Sequence, residues 1–213
     1  MNLKELISQV KATNAFVDTN HQQALCTLIN KNINSNSILN FLDEVLQLNT
    51  TEISNLASLM EIHPLGFQKY VLWDDEVRAR LHLWNNTDAI DVVENIHDHR
   101  FHFVSNIVYG SYIHEEYKIV NTINDKVEVE LISRSECNEG STYFFEAGKF
   151  HRIIQNNPFA VSFLVRSQPI LPYSRVINPE TMIMAKRYGV HEKFKKNIEN
   201  VKKELETRCH HNV

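Results

Sequence analysis

Through the first sixty or so residues apolar side chains recur every three to four positions. They fall into four groups: Leu3, Leu6, Ile7 and Val10; Leu25, Leu28 and Ile29; Ile38, Phe41, Leu42, Val45 and Leu46; then Ile53, Leu56 and Met60. This is the 3.6-residue period of helices with one buried face, so the first third is predicted to be all-helical. Asn34 to Ser37 and Asn49 to Thr51 supply side-chain oxygens suited to capping the third and fourth helices, and His63-Pro64-Leu65-Gly66 should stop the last. From Phe67 to about Arg166 the period falls to two, in short runs rich in Val, Ile, Phe and Tyr broken by polar turns. Strands are predicted over 77–84, 101–109, 111–120, 127–133, 141–145, 151–155 and 160–166, enough for a small β-sandwich or barrel. Pro169 and Pro172 should end the sheet. Asn178-Pro179-Glu180 reads as a helix start, and Phe194, Ile198, Val201 and Leu205 form an apolar stripe on a final lysine-rich helix, expected to dock on the barrel or on a second subunit. The division is therefore a helical segment 1–64, a β-barrel 65–173 and a helical segment 174–213.

The chain has 213 residues, with 43% hydrophobic and 23% charged content, enough for a sizeable single core. Lys+Arg 22 against Asp+Glu 26 gives a net charge of −4, and the helical third has only Lys4, Lys11 and Lys31 as cations. That charge does not suit a phosphate backbone, so no nucleic-acid partner is expected. No signal-like N-terminus or long apolar run is present, and the reading is a cytoplasmic protein without a membrane partner. Cys26, Cys137 and Cys209 are far apart and lack CxxC spacing, which argues against a disulfide framework or a thiolate zinc site.

Histidine is the unusual residue, with eleven in all. His97-Asp98-His99 lies in an alternating segment, so both imidazoles face one way, about 7 Å apart along a strand. His151 stands after Gly140 and Gly148, where a tight turn leads into the next strand. Three neutral imidazoles suit Fe(II), Zn, Ni or Cu and leave positions open for chemistry. The competing explanation is ordinary sheet histidines, each satisfied by a neighbour. His102 has the opposite parity and should face away, and Asp98 should lie on the outside as a surface hydrogen-bonding group.

The two motifs together resemble the cupin superfamily. Its HxH pair and following glycine read here as His97, His99 and Gly110, and its second motif as Gly140, Gly148 and His151, with Glu146 in place of Pro and Gln155 in place of Asn. The resemblance covers roughly residues 66–170 and implies a mainly β fold, a double-stranded β-helix (jelly-roll barrel) flanked by the helical segments. The family's glutamate ligand position falls at Phe103 or Val104, which points to the three-histidine subgroup. Ile96 to His99 with His102, Phe103, Gly110 and Glu115 is similar to the cysteine (thiol) dioxygenase pattern. That group's further His and Tyr correspond to Leu164 and Arg166.

Arg80 and His82 alternate with Ala79, Leu81 and Leu83. If the apolar set packs on the helices, both enter the barrel, where a guanidinium can hold a substrate carboxylate. Arg166, with Ser162 and Leu164, is a second candidate anchor. Tyr112, Tyr117 and Tyr143 are candidate phenol donors, with Tyr112 and Tyr143 the preferred catalytic pair beside Arg80, and Glu146 a weaker candidate base. The expected function is a mononuclear non-haem iron dioxygenase-like oxidoreductase acting on a small polar or anionic molecule. Its metal would be Fe(II), with Zn, Ni, Mn or Cu as alternatives. The competing expectations are a cupin isomerase or lyase using the metal as Lewis acid, and a non-catalytic small-molecule-binding cupin. The resemblance also implies frequent homodimers.

Overall fold

The computed structural model describes residues 1–62, 67–85, 94–189, 194–195 and 197–203. Four helices come first: α1 (Leu3–Ala12), α2 (Gln22–Asn32), α3 (Ser35–Leu46) and α4 (Thr50–Ala57). Asn2, Asn34 and Asn49 cap α1, α3 and α4, each accepting from the backbone N–H three residues on, while the side chain at that position bonds back to the Asn backbone. The cap positions read from the sequence for α3 and α4 are the ones used. The expected stop at His63 to Gly66 lies outside the described residues.

Among the described residues twelve strands follow, all paired antiparallel: β1 (Glu61–Ile62), β2 (Phe67–Asp74), β3 (Val77–Asn85), β4 (Ile96–His97), β5 (Phe103–Tyr109), β6 (Ser111–Ile123), β7 (Lys126–Asn138), β8 (Thr142–Phe145), β9 (Phe150–Ile154), β10 (Phe159–Ser167), β11 (Tyr173–Ile177) and β12 (Met184–Tyr188). They form two six-stranded sheets, ordered β1-β2-β3-β10-β5-β8 and β12-β11-β4-β9-β6-β7. This is a jelly-roll arrangement, a double-stranded β-helix with flanking helices. The chain changes sheet between β5 and β6 at Gly110, whose φ is +73°. A Cβ there would stand 2.4 Å from the Phe159 carbonyl oxygen, so only glycine fits the close approach to β10.

One face of the first sheet packs against the helices: Leu6, Ile7, Val10, Leu25, Ile29 and Phe41 meet Leu72, Ala79, Leu81, Val104, Phe163 and Val165. Because strand side chains alternate, that contact turns Arg80, His82 and Trp84 of β3, Phe103 and Ser105 of β5, and Ser162 and Leu164 of β10 toward the second sheet.

Three expectations are corrected. The sheet does not end at Pro169 and Pro172: Tyr173–Ile177 and Met184–Tyr188 form a hairpin that joins β4 at the edge of the second sheet. Asn178 caps a turn of that hairpin, its Oδ1 accepting from Glu180 N at 2.9 Å and Thr181 N at 3.0 Å, so a cap signal begins a turn and no helix follows. Residues 197–203 are helical, yet Phe194, Ile198 and Val201 are exposed, so this part of the stripe does not pack on the barrel; Leu205 lies outside the described residues. No described helix is long and apolar enough to cross a membrane.

Candidate metal centre and barrel cavity

His97 closes β4 and pairs across the ladder with His151 of β9. His99 follows just beyond the strand, and its carbonyl accepts from the N–H of Gly148 at 3.0 Å, which ties the turn before β9 to the histidine pair. Gly148 makes that turn at φ +80°. The ligand nitrogens of His97, His99 and His151 all lie within 4.8 Å of one another, the only such group among the described residues. His97 Nδ1 is 2.9 Å from the Asn95 carbonyl, which can only accept, so Nδ1 carries the proton and Nε2 faces the group. His99 Nε2 and His151 Nε2 are 2.8 Å apart, both aimed at the same point.

Burial holds His99 and His151 well below the usual histidine pKa, with the neighbouring imidazoles adding to the effect. Neutral rings with converging nitrogens are what divalent-ion ligation requires, and the three residues fit a metal ion.

Two supports were not legible in the sequence. His114 of β6 is buried, and its Nε2 lies 2.9 Å from His151 Nδ1. Burial lowers its pKa to about 4, so the neutral ring can accept the Nδ1 proton and leave His151 Nε2 bare. Asp98 is not the surface group expected. It is 1% exposed and accepts from Arg175 N at 2.5 Å and Arg175 Nε at 2.6 Å. Arg175 Nη2 also donates to the Gly148 carbonyl at 2.9 Å. The hairpin that the sequence reading missed thus supplies the cation that locks the HxH segment to the turn before His151.

A cavity of about 280 Å³ opens over the three histidines. Arg80 and His82 line it, as do Tyr112 and Tyr143, whose hydroxyls are 2.9 Å apart. Burial raises the pKa of both phenols, keeping them protonated. Arg80 is half-buried, with its Nε shielded from solvent. Burial, then Arg166 and Arg78, lower its pKa to about 9, so it stays charged at neutral pH. Arg80 Nε and Trp84 Nε1, both on cavity-lining residues, are buried donors without a hydrogen-bond partner among the described residues. Lys69 and Glu61 also line the wall, paired at 3.0 Å.

The remaining candidates lie elsewhere. Arg166 shares the parity of Leu164 but sits at the end of β10, outside the cavity lining; its guanidinium covers the Phe101 ring at 4.4 Å and donates to the Ser167 carbonyl at 2.7 Å. His102 faces away from the triad, its Nδ1 accepting from Ala147 N at 3.1 Å. Tyr117 donates to Glu115, which also binds Arg134 and Arg152, away from the cavity. Glu146 pairs with Lys149 at 2.8 Å. Cys209, His210 and His211 lie outside the described residues.

No protein-family model and no curated protein matches the chain. Among solved structures it is similar to a putative sugar phosphate isomerase from Acidithiobacillus ferrooxidans, with 13% identity over 68% of this chain and 88% of that one and a TM-score of 0.41. It is also similar to an oxalate decarboxylase from Lactobacillus farciminis, at 16% identity over 52% and 30% of the two chains and a TM-score of 0.37. A DMSP lyase from Ruegeria pomeroyi aligns at 12% identity over 47% of this chain, TM-score 0.35, and the match spans 46% of the lyase, under half its length.

Proposed function

We propose that this chain is a metal-dependent enzyme, a mononuclear non-haem iron dioxygenase-like oxidoreductase acting on a small anionic molecule. The observation that carries this reading is the meeting, in one cavity, of three converging imidazoles with buried donors that have no partner among the described residues. An ion held by His97, His99 and His151 would supply Lewis acidity and, as iron, redox chemistry with O₂.

The protein's own residues do the rest. Arg80 is charged, has a buried Nε and makes no ion pair among the described residues, so an anionic group placed against it recovers the solvation that partial burial removed. Trp84 Nε1 offers a second N–H to an acceptor on the substrate, and the apolar walls of Phe67, Phe103, Ile153 and Leu164 exclude water. Elemental analysis of protein purified without chelator, followed by oxygen-electrode assays with thiols and amino-acid derivatives, tests the reading. Iron with substrate-dependent O₂ uptake supports it, and absence of metal refutes it.

One observation favours a second reading. The Tyr112–Tyr143 pair faces the same cavity with both phenols kept protonated, which suits proton donation in an isomerase or lyase where the ion acts as Lewis acid only. Turnover that persists without O₂ and with a redox-inert metal would select it.

A further inference from the structure

The helices do not cover the whole outer face of the first sheet. Beside the core contact, α3 and α4 leave an apolar groove of about 650 Å³ over β2, β3 and β10, lined by Leu39, Leu42, Ile53, Leu56, Leu83 and Val161 among others. It shares no lining residue with the histidine cavity, since β3 turns Leu81 and Leu83 to one side and Arg80 and His82 to the other. Leu39 is 60% exposed, and Ile53 and Met60 are exposed beside it. The surrounding charge has one sign. No lysine or arginine stands between Lys31 and Lys69, whereas Asp43, Glu44, Glu52 and Glu61 do. Asp43 and Glu52 are exposed, and each lies four positions from a lining leucine of its own helix, Leu39 or Leu56, so both flank the groove. A fatty-acid anion or an anionic membrane surface would meet these carboxylates without an opposing cation, so the groove suits an apolar partner that carries positive charge.

The chain itself carries such a segment. Phe194, Ile198 and Val201 follow the i, i+4, i+7 spacing of one helix face and are 66%, 53% and 55% exposed. Lys195, Lys202 and Lys203 accompany them, with Glu199 the one carboxylate among the described residues of this helix. Stripe and groove are both apolar, are opposite in charge, and both stand open in the single chain. They also lie apart in the fold: the chain leaves for this helix from β12, an edge strand of the second sheet, whereas the groove is on the outer face of the first. We infer that the groove seats the C-terminal helix of a second copy, exchanged reciprocally in a two-fold dimer so that two stripes and two grooves are covered at once. The inference stands independently of the metal reading.

Sedimentation equilibrium of the full chain tests it, with Ile198→Glu on the stripe and Leu39→Glu in the groove. Both positions are exposed in the single chain, so both variants should keep the wild-type far-ultraviolet circular dichroism. Wild type should be a dimer, and each variant should weaken it about a hundredfold or more, because the added charge is buried at both contacts. If Leu39→Glu does not fold, Ile53→Glu serves as the groove variant. Mixing a stripe variant with a groove variant restores one intact contact per dimer, so the mixture should associate more tightly than either variant alone. A mixture no tighter than its components overturns the reciprocal exchange. A wild type that stays monomeric up to about 100 µM overturns the inference, including the case in which the helix folds onto its own groove. A dimer that neither substitution weakens places the interface elsewhere and overturns it as well.

Discussion

Arg175 is the cation of a buried pair, and its replacement by Ala should damage stability and site together. Asp98 is 1% exposed between two triad histidines, whereas the Arg175 side chain is 30% exposed. Arg175→Ala removes the charge-assisted bond from Nε at 2.6 Å, the bond from Nη2 to Gly148 at 2.9 Å and the guanidinium lying 4.4 Å from the Phe150 ring. Breaking a buried pair from one side typically destabilises by about 3–5 kcal/mol, because the remaining charge is stranded. Here the Arg175 backbone N–H still serves Asp98 and solvent reaches part of the guanidinium, so the low end, about 3 kcal/mol, is expected. For a chain of this size that corresponds to a fall in melting temperature of roughly 6–12 °C. Urea unfolding of the metal-free protein would measure the loss, and metal titration its effect on the histidines. Asp98→Asn with Arg175→Ala should recover part of the loss, since it removes the stranded charge. A loss below about 1 kcal/mol for Arg175→Ala, or wild-type metal affinity beside a large loss, would refute the claim that this pair fixes the HxH segment.

His97→Ala, His99→Ala or His151→Ala should each abolish retained metal by elemental analysis, whereas His102→Ala, which removes the acceptor for Ala147 and the ring stacked on Phe144, should keep it. Arg80→Leu should retain metal and weaken an anionic substrate at least tenfold, as losing a charge-assisted bond worth about 1.5–3 kcal/mol predicts; isothermal titration would read this. Burial lowers the pKa of His102, so its contribution to stability is present above about pH 6.5 and is lost as pH falls toward the folded-state value. His102→Asn, which keeps an acceptor for Ala147 but does not titrate, should lose less stability than wild type between pH 7 and pH 5, measured by urea midpoints. Gly110→Ala should destabilise by about 1–3 kcal/mol, since it adds a Cβ at positive φ against the Phe159 carbonyl; chemical denaturation would show it.

The sequence alone determined what depends on local periodicity and on short motifs. Helical spacing located α1 to α4, asparagines marked two of their starts, and alternation outlined seven of the strands. Parity on β3 also put Arg80 and His82 on one face, because the pleat turns alternate residues to opposite sides whatever the rest of the chain does. Pairing across the chain was decided only in the tertiary structure. The Asn178 signal is locally the same whether a helix or a hairpin turn follows, and only the free edge of β4 selects the hairpin. Asp98 reads as an outward residue until Arg175, 77 positions on, is brought against it. His114 carries no motif, and its relation to His151 follows from β6 and β9 sharing one sheet. Arg166 shows the reverse: parity marks it as facing inward, but strand length sets it beyond the cavity, a distance along the barrel that alternation cannot encode.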